Sequence, residues 1–169
     1  LRKELTRRRV QFISDHIDGN NSIELKVEPL GDDVDLDFEF RHLISRQDGA
    51  FSSDIFDVER DSGILNALNR NILKVGRTDD DVALDLRMDV VHKFKTELMK
   101  CKSGAVMDVQ LGKRFIDFMG QLRPEVLNQV VAWFPGDKLI VKYNDGKRMK
   151  DIAQGSAGQK AATVLSFLL

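Results

Sequence analysis

Gln154-Gly155-Ser156-Ala157-Gly158-Gln159-Lys160, followed by Ala161-Ala162-Thr163-Val164-Leu165-Ser166-Phe167-Leu168-Leu169, is the stretch on which the reading of this chain turns. Ser156 suits the N-cap of a helix and Gln159 falls at its third position. The spacing Ser-x-x-Gln therefore fits a capping box, in which the two side chains satisfy backbone N–H groups reciprocally. Gly155, Ala157 and Gly158 leave little side chain above that helix start, which predicts amides open to an approaching group. The first turn of a helix carries N–H groups without intrahelical partners and the positive end of the helix dipole, so it is a ready anion site. Ala161, Val164, Leu165 and Leu168 mark one apolar face of the helix that follows. The same six residues, 155–160, also suit the ordinary start of a core helix, and alone they do not separate the two readings.

Upstream of this segment the period changes to two. Leu139, Val141 and Tyr143 alternate with Ile140 and Lys142, and Asn144-Asp145-Gly146 is a strong turn, so a hairpin is predicted over 138–150. A helical subdomain is predicted before it, over about 55–134. Ile64, Leu65, Leu68 and Ile72 have helical spacing. Thr78-Asp79-Asp80-Asp81 reads as an N-cap with acids in the first turn, opening a helix with Leu84, Met88, Val91, Phe94 and Leu98 on one face. Phe115, Phe118, Met119 and Leu122 suggest a third helix. Pro124 suits the first turn of a fourth, running through Val126, Leu127, Val130, Val131 and Phe134 until Pro135-Gly136.

Two strands are predicted over 23–40. Ile23, Leu25 and Val27 alternate with polar residues, as do Val34, Leu36, Phe38 and Phe40, with Pro29 and Gly31-Asp32-Asp33 between the two runs. Asp33, Asp35, Asp37 and Glu39 would then line a solvated sheet face. Residues 1–17 read as a helix, with Leu5, Phe12, Ile13 and Ile17 near one stripe and Arg2, Lys3, Arg7, Arg8 and Arg9 around the rest. It starts without an N-cap residue and is stopped by Asp18-Gly19-Asn20-Asn21, like the end of a longer, coiled-coil-like helix. The last helix likewise runs to Leu169 with no C-cap, so both ends are expected to continue in a longer protein.

The 169 residues fit one domain of 42% hydrophobic and 31% charged residues, an ordinary globular composition. No apolar run reaches the roughly 20 residues needed to span a bilayer, and the Arg-rich start lacks the apolar stretch of a signal peptide. Cys101 is the only cysteine, which excludes an internal disulfide and predicts a cytoplasmic protein. A net charge of −1 argues against a globally basic nucleic-acid binder. Local basic clusters remain at Arg2, Lys3, Arg7, Arg8 and Arg9, and at Lys142, Lys147, Arg148 and Lys150. His16, His42 and His92 are far apart and predict no metal site. No Gly-x-Ser-x-Gly elbow is present, and nothing pairs Cys101 with His92, so no catalytic residue is predicted.

The segment Gly155-Ser156-Ala157-Gly158-Gln159 resembles the signature motif of ABC ATPases, Leu-Ser-Gly-Gly-Gln, with Gly155 in place of the leucine and Ala157 in place of the first glycine. Lys160 is similar to the basic residue that often follows in SMC-like proteins, and the apolar run after it resembles the helix preceding the Walker B strand. Gly-Ser-Ala-Gly-Gln-Lys with an Ala-rich helix is especially similar to SMC-like ATPases associated with PHP-type phosphoesterase domains. The likeness in wording covers about residues 143–169, and earlier it is one of architecture.

The resemblance implies an α+β or α/β fold, the C-terminal lobe of an SMC-like head, with 1–17 as the end of a coiled coil and 18–169 as the lobe. It implies ATP held between the P-loop of one head and this signature loop of another. Ser156 would then hydrogen-bond the γ-phosphate, amides near Ala157 and Gly158 would add donors, and Gln159 would orient the loop or touch the ribose side. Magnesium would come from the partner half-site. The expected partners are a second head, as a homodimer, the N-terminal lobe, DNA, and a nuclease domain or subunit, with no membrane. The expected task is DNA repair or antiviral defence. Hydrolysis would need the full-length dimer, because the P-loop pattern is absent. Gly112-Lys113 is followed by Arg114 and preceded five residues before Gly112 by Met107; Gly146-Lys147 is followed by Arg148 and preceded by Val141. No Asp-Glu pair supplies a Walker B end. The alternative is a non-enzymatic module that binds nucleic acid or protein through the basic clusters.

Overall fold

Alternating apolar residues do build the first strand: Ile23, Leu25 and Val27 are buried along one face of β1 (Ile23–Glu28). The computed structural model describes residues 1–17, 23–75, 81–101, 104–152 and 160. Among these the chain is mixed α+β, with seven helices and two small antiparallel sheets. In chain order they are α1 (Arg2–Ile17), β1, α2 (Leu36–Leu43), α3 (Ser52–Ile55), α4 (Ile64–Lys74), α5 (Asp81–Met99), β2 (Ala105–Val106), β3 (Val109–Gln110), α6 (Lys113–Gly120), α7 (Pro124–Ala132), β4 (Lys138–Asn144) and β5 (Met149–Asp151). They fall into two units, one of Leu1–Glu28 with Asp137–Leu169, the other of Pro29–Gly136.

In the first unit, β4 lies between β1 and β5, antiparallel to both. The register sets Ile23 opposite Tyr143, Leu25 opposite Val141 and Val27 opposite Leu139, so one face is apolar. Glu24 opposite Lys142 and Glu28 opposite Lys138 place opposite charges across the strands on the other face, the kind of cross-strand pair that stabilises a sheet. Asn144-Asp145-Gly146 makes the predicted hairpin turn, closed by the Asp145 N–H donating to the Arg148 carbonyl.

Of the expected stripe of α1, Ile13 is half-buried against the sheet, but the rest of the described stripe is not. Leu5 and Phe12 are exposed, whereas Thr6 is 1% exposed. Polar bonds explain the rotation. Asp137, just before β4, accepts from Thr6 Oγ1 at 3.1 Å, Arg2 Nη2 at 2.8 Å and Arg9 Nη1 at 2.7 Å. Its carboxylate is only 2% exposed, so these donors turn their side of the helix inward.

The second unit is the predicted helical block, extended upstream. Its core gathers Phe40, Ile55, Ile64, Leu65, Leu68, Ile72, Val91, Phe94, Leu98 and Phe115, among others. The predicted faces of α4 and α5 are buried as expected. Residues 76–80, with the predicted cap Thr78-Asp79-Asp80, lie outside the described residues. Pro124 opens α7 in its first turn, but the helix ends at Ala132, and Trp133 is already extended at ψ 147°.

The second predicted strand is a correction. Residues 36–43 form α2, not a strand. Leu36, Phe40 and Ile44 repeat every four residues and are 3%, 0% and 1% exposed, while Val34 and Phe38, which alternation would bury, are 80% and 65% exposed. A run of apolar residues at 34, 36, 38, 40 and 44 satisfies both periods, and the core took the helical one. Phe40 packs edge-on against Phe94 and Trp133. The acids therefore share no sheet face. Asp32 accepts from the Val34 N–H, Asp37 pairs with Arg41, and Glu39 accepts from the Trp133 indole.

Buried polar side chains hold this unit's connections. Arg41 donates to the Ala50 carbonyl at 2.7 Å, Asn66 to the carbonyls of Asp57 and Ser62, and Arg87, 1% exposed, to the Pro29 carbonyl. The β2–β3 hairpin, absent from the sequence reading, turns through Met107 and Asp108, both at positive φ. The Met107 N–H donates to Glu97 Oε2 at 2.6 Å, which fixes a turn that lacks the usual glycine.

Candidate functional site

The hairpin β4–β5 is the element that leads the chain toward the predicted site. Its tip is built around Asp145, whose carboxylate accepts from the Lys150 ammonium and from the N–H groups of Lys147 and Arg148. The Lys150 hydrogen bond, then the two backbone N–H bonds, hold this carboxyl well below the usual carboxylate range. Asn144 Oδ1 adds a bond from the Gly146 N–H. Lys147 and Arg148 stand exposed at this tip. Along the strands, Glu24 receives Lys26 at 3.1 Å and Lys142 at 3.3 Å. Burial raises its carboxyl, but these two cations outweigh burial and the net displacement is downward.

Gly155, Ser156, Ala157, Gly158 and Gln159 lie outside the described residues, as does the apolar run 161–169. Lys160 is described, and it is helical and exposed. Four residues separate β5 from Ser156 in sequence. The predicted donor set, a hydroxyl, small-residue amides and a lysine cation, has the chemistry to accept a terminal phosphate.

Several members of the two basic clusters are held in ion pairs. Arg2 and Arg9 are drawn onto Asp137, and Arg8 pairs with Glu4. Lys142 and Lys150 are paired with Glu24 and Asp145. The charge of the chain is nevertheless unevenly divided. The unit of Leu1–Glu28 and Asp137–Leu169 carries 12 Lys and Arg against 8 Asp and Glu, and Pro29–Gly136 carries 14 against 19. A net charge of −1 hides this division.

A groove of about 550 Å³ lies in the first unit between α1 and the sheet, with Phe12, Ile13, Leu25, Val27 and Leu139 among its lining. Cys101 is buried and takes part in no disulfide. His42 stacks on Phe38 and bonds Gln47 through Nδ1, and His92 packs edge-on against Phe134. Among the described residues, no three His, Cys, Asp or Glu side chains gather so as to hold a metal, and no helix is long and apolar enough to cross a membrane.

Two side chains whose buried polar contacts sequence reasoning missed are Asp137 and Lys95. Neither carries a local signal, because each acquires its partners from residues 36 or more positions away. No protein-family profile, curated protein or solved structure matches the chain.

Proposed function

We propose that this chain is part of an ATP-binding and ATP-hydrolysing SMC-like ABC ATPase, and that it supplies the signature loop that grips ATP held by a partner head. The observation that carries the reading is Gly155-Ser156-Ala157-Gly158-Gln159-Lys160 after a strand hairpin and before an apolar run of helical period. The α+β character, the helix at residues 2–17 and the antiparallel β4–β5 hairpin leading toward Ser156 support it. Ser156 and the amides of residues 157 and 158 contact the γ-phosphate, Gln159 orients the loop, and Lys160 adds positive charge. Magnesium and the P-loop belong to the other head. Contacts made to the γ-phosphate are lost on hydrolysis, so the cycle loosens the dimer. The work it drives is DNA-related, either repair or phage defence with a nuclease.

Crosslinking tests it. Ser156→Cys in the full-length protein, combined with a cysteine at the P-loop of the same protein, is expected to crosslink between heads several-fold faster with ATP than without. Crosslinking indifferent to ATP defeats the sandwich. A parent reading frame with no P-loop upstream and no apolar strand ending in Asp-Glu after Leu169 defeats the assignment itself.

A second reading, nucleic-acid binding by the first unit, draws on its excess of Lys and Arg and on the exposed pair Lys147 and Arg148. Phosphate contacts release counterions, so affinity for DNA should fall steeply between low and moderate salt. Affinity indifferent to salt removes this reading and leaves the first intact.

A further inference from the structure

We draw no further inference here: the strongest candidate, the apolar groove between α1 and the sheet of the first unit, lined by Phe12, Ile13, Leu25, Val27 and Leu139 among others, carries nothing, because nothing in the structure shows what covers it.

Discussion

A methyl group added at Gly63 is expected to destabilise the Pro29–Gly136 unit by about 3–5 kcal/mol. Gly63 precedes α4 at φ 103° and ψ 160°, a region that only glycine occupies comfortably, and forcing a side chain into it costs about 1–3 kcal/mol. The second contribution is steric. A Cβ built there meets the Ile55 carbonyl carbon and oxygen at 2.6 Å and the Phe56 nitrogen at 2.8 Å, all backbone atoms. Relieving that contact means moving the Ile55 backbone by most of an ångström, and Ile55 is 0% exposed in the core. Overpacking of this kind adds about 1–3 kcal/mol.

Gly49 supplies the control, with φ of 74° and nothing within 4 Å of an added Cβ. Gly49→Ala should therefore show the backbone penalty alone, about 1–2 kcal/mol. Trp133 is the only tryptophan and lies in this unit, so urea unfolding followed by its fluorescence reports the right unit, with stability taken from midpoint and slope. If Gly63→Ala falls within about 1 kcal/mol of Gly49→Ala, the close approach of Gly63 to the α3 backbone is not what the packing requires.

Two further outcomes follow from buried charge. The Lys95 amine is held at about 8 in the folded chain against an ordinary 10.5, so between those values the unfolded chain binds more protons and stability rises with pH. The penalty, about 3 kcal/mol in all, is fully present below pH 8. Urea midpoints at pH 7 and 9.5 should diverge in wild type more than in Lys95→Met, and equal divergence refutes the account. In the other unit, Asp137→Asn removes the carboxylate that Arg2 and Arg9 share with Thr6. Because Arg9 is substantially exposed, the loss is expected to be only about 1–2 kcal/mol. It should appear as faster amide exchange over the first half of α1, and unchanged exchange there means that other contacts hold the helix.

Much of the architecture was legible wherever one pattern had a single solution. The long apolar face of Leu84, Val91, Phe94 and Leu98 admits only a helix, Pro124 fits only a first turn, and Asn144-Asp145-Gly146 fits only a tight hairpin; all three are in the structure. The motif at 155–160 is equally a property of sequence, since its small residues, hydroxyl and capping spacing are local. Residues 34–44 had no single solution. Their apolar positions fit a strand and a helix at once, and the choice fell to whichever face met Phe94 and Trp133.

The sequence by itself determined where chain-local geometry is forced: helical period over long runs, and proline and glycine punctuation. Only the tertiary structure decided which charges go inside. Nothing local in the sequence marks Asp137 or Lys95 for burial, yet one carboxylate gathers donors from residues 2, 6 and 9, and one ammonium is set against a carbonyl 36 positions on. A polar group is worth burying only when its partners are already in position, and partners that distant in sequence exist only once the chain has folded.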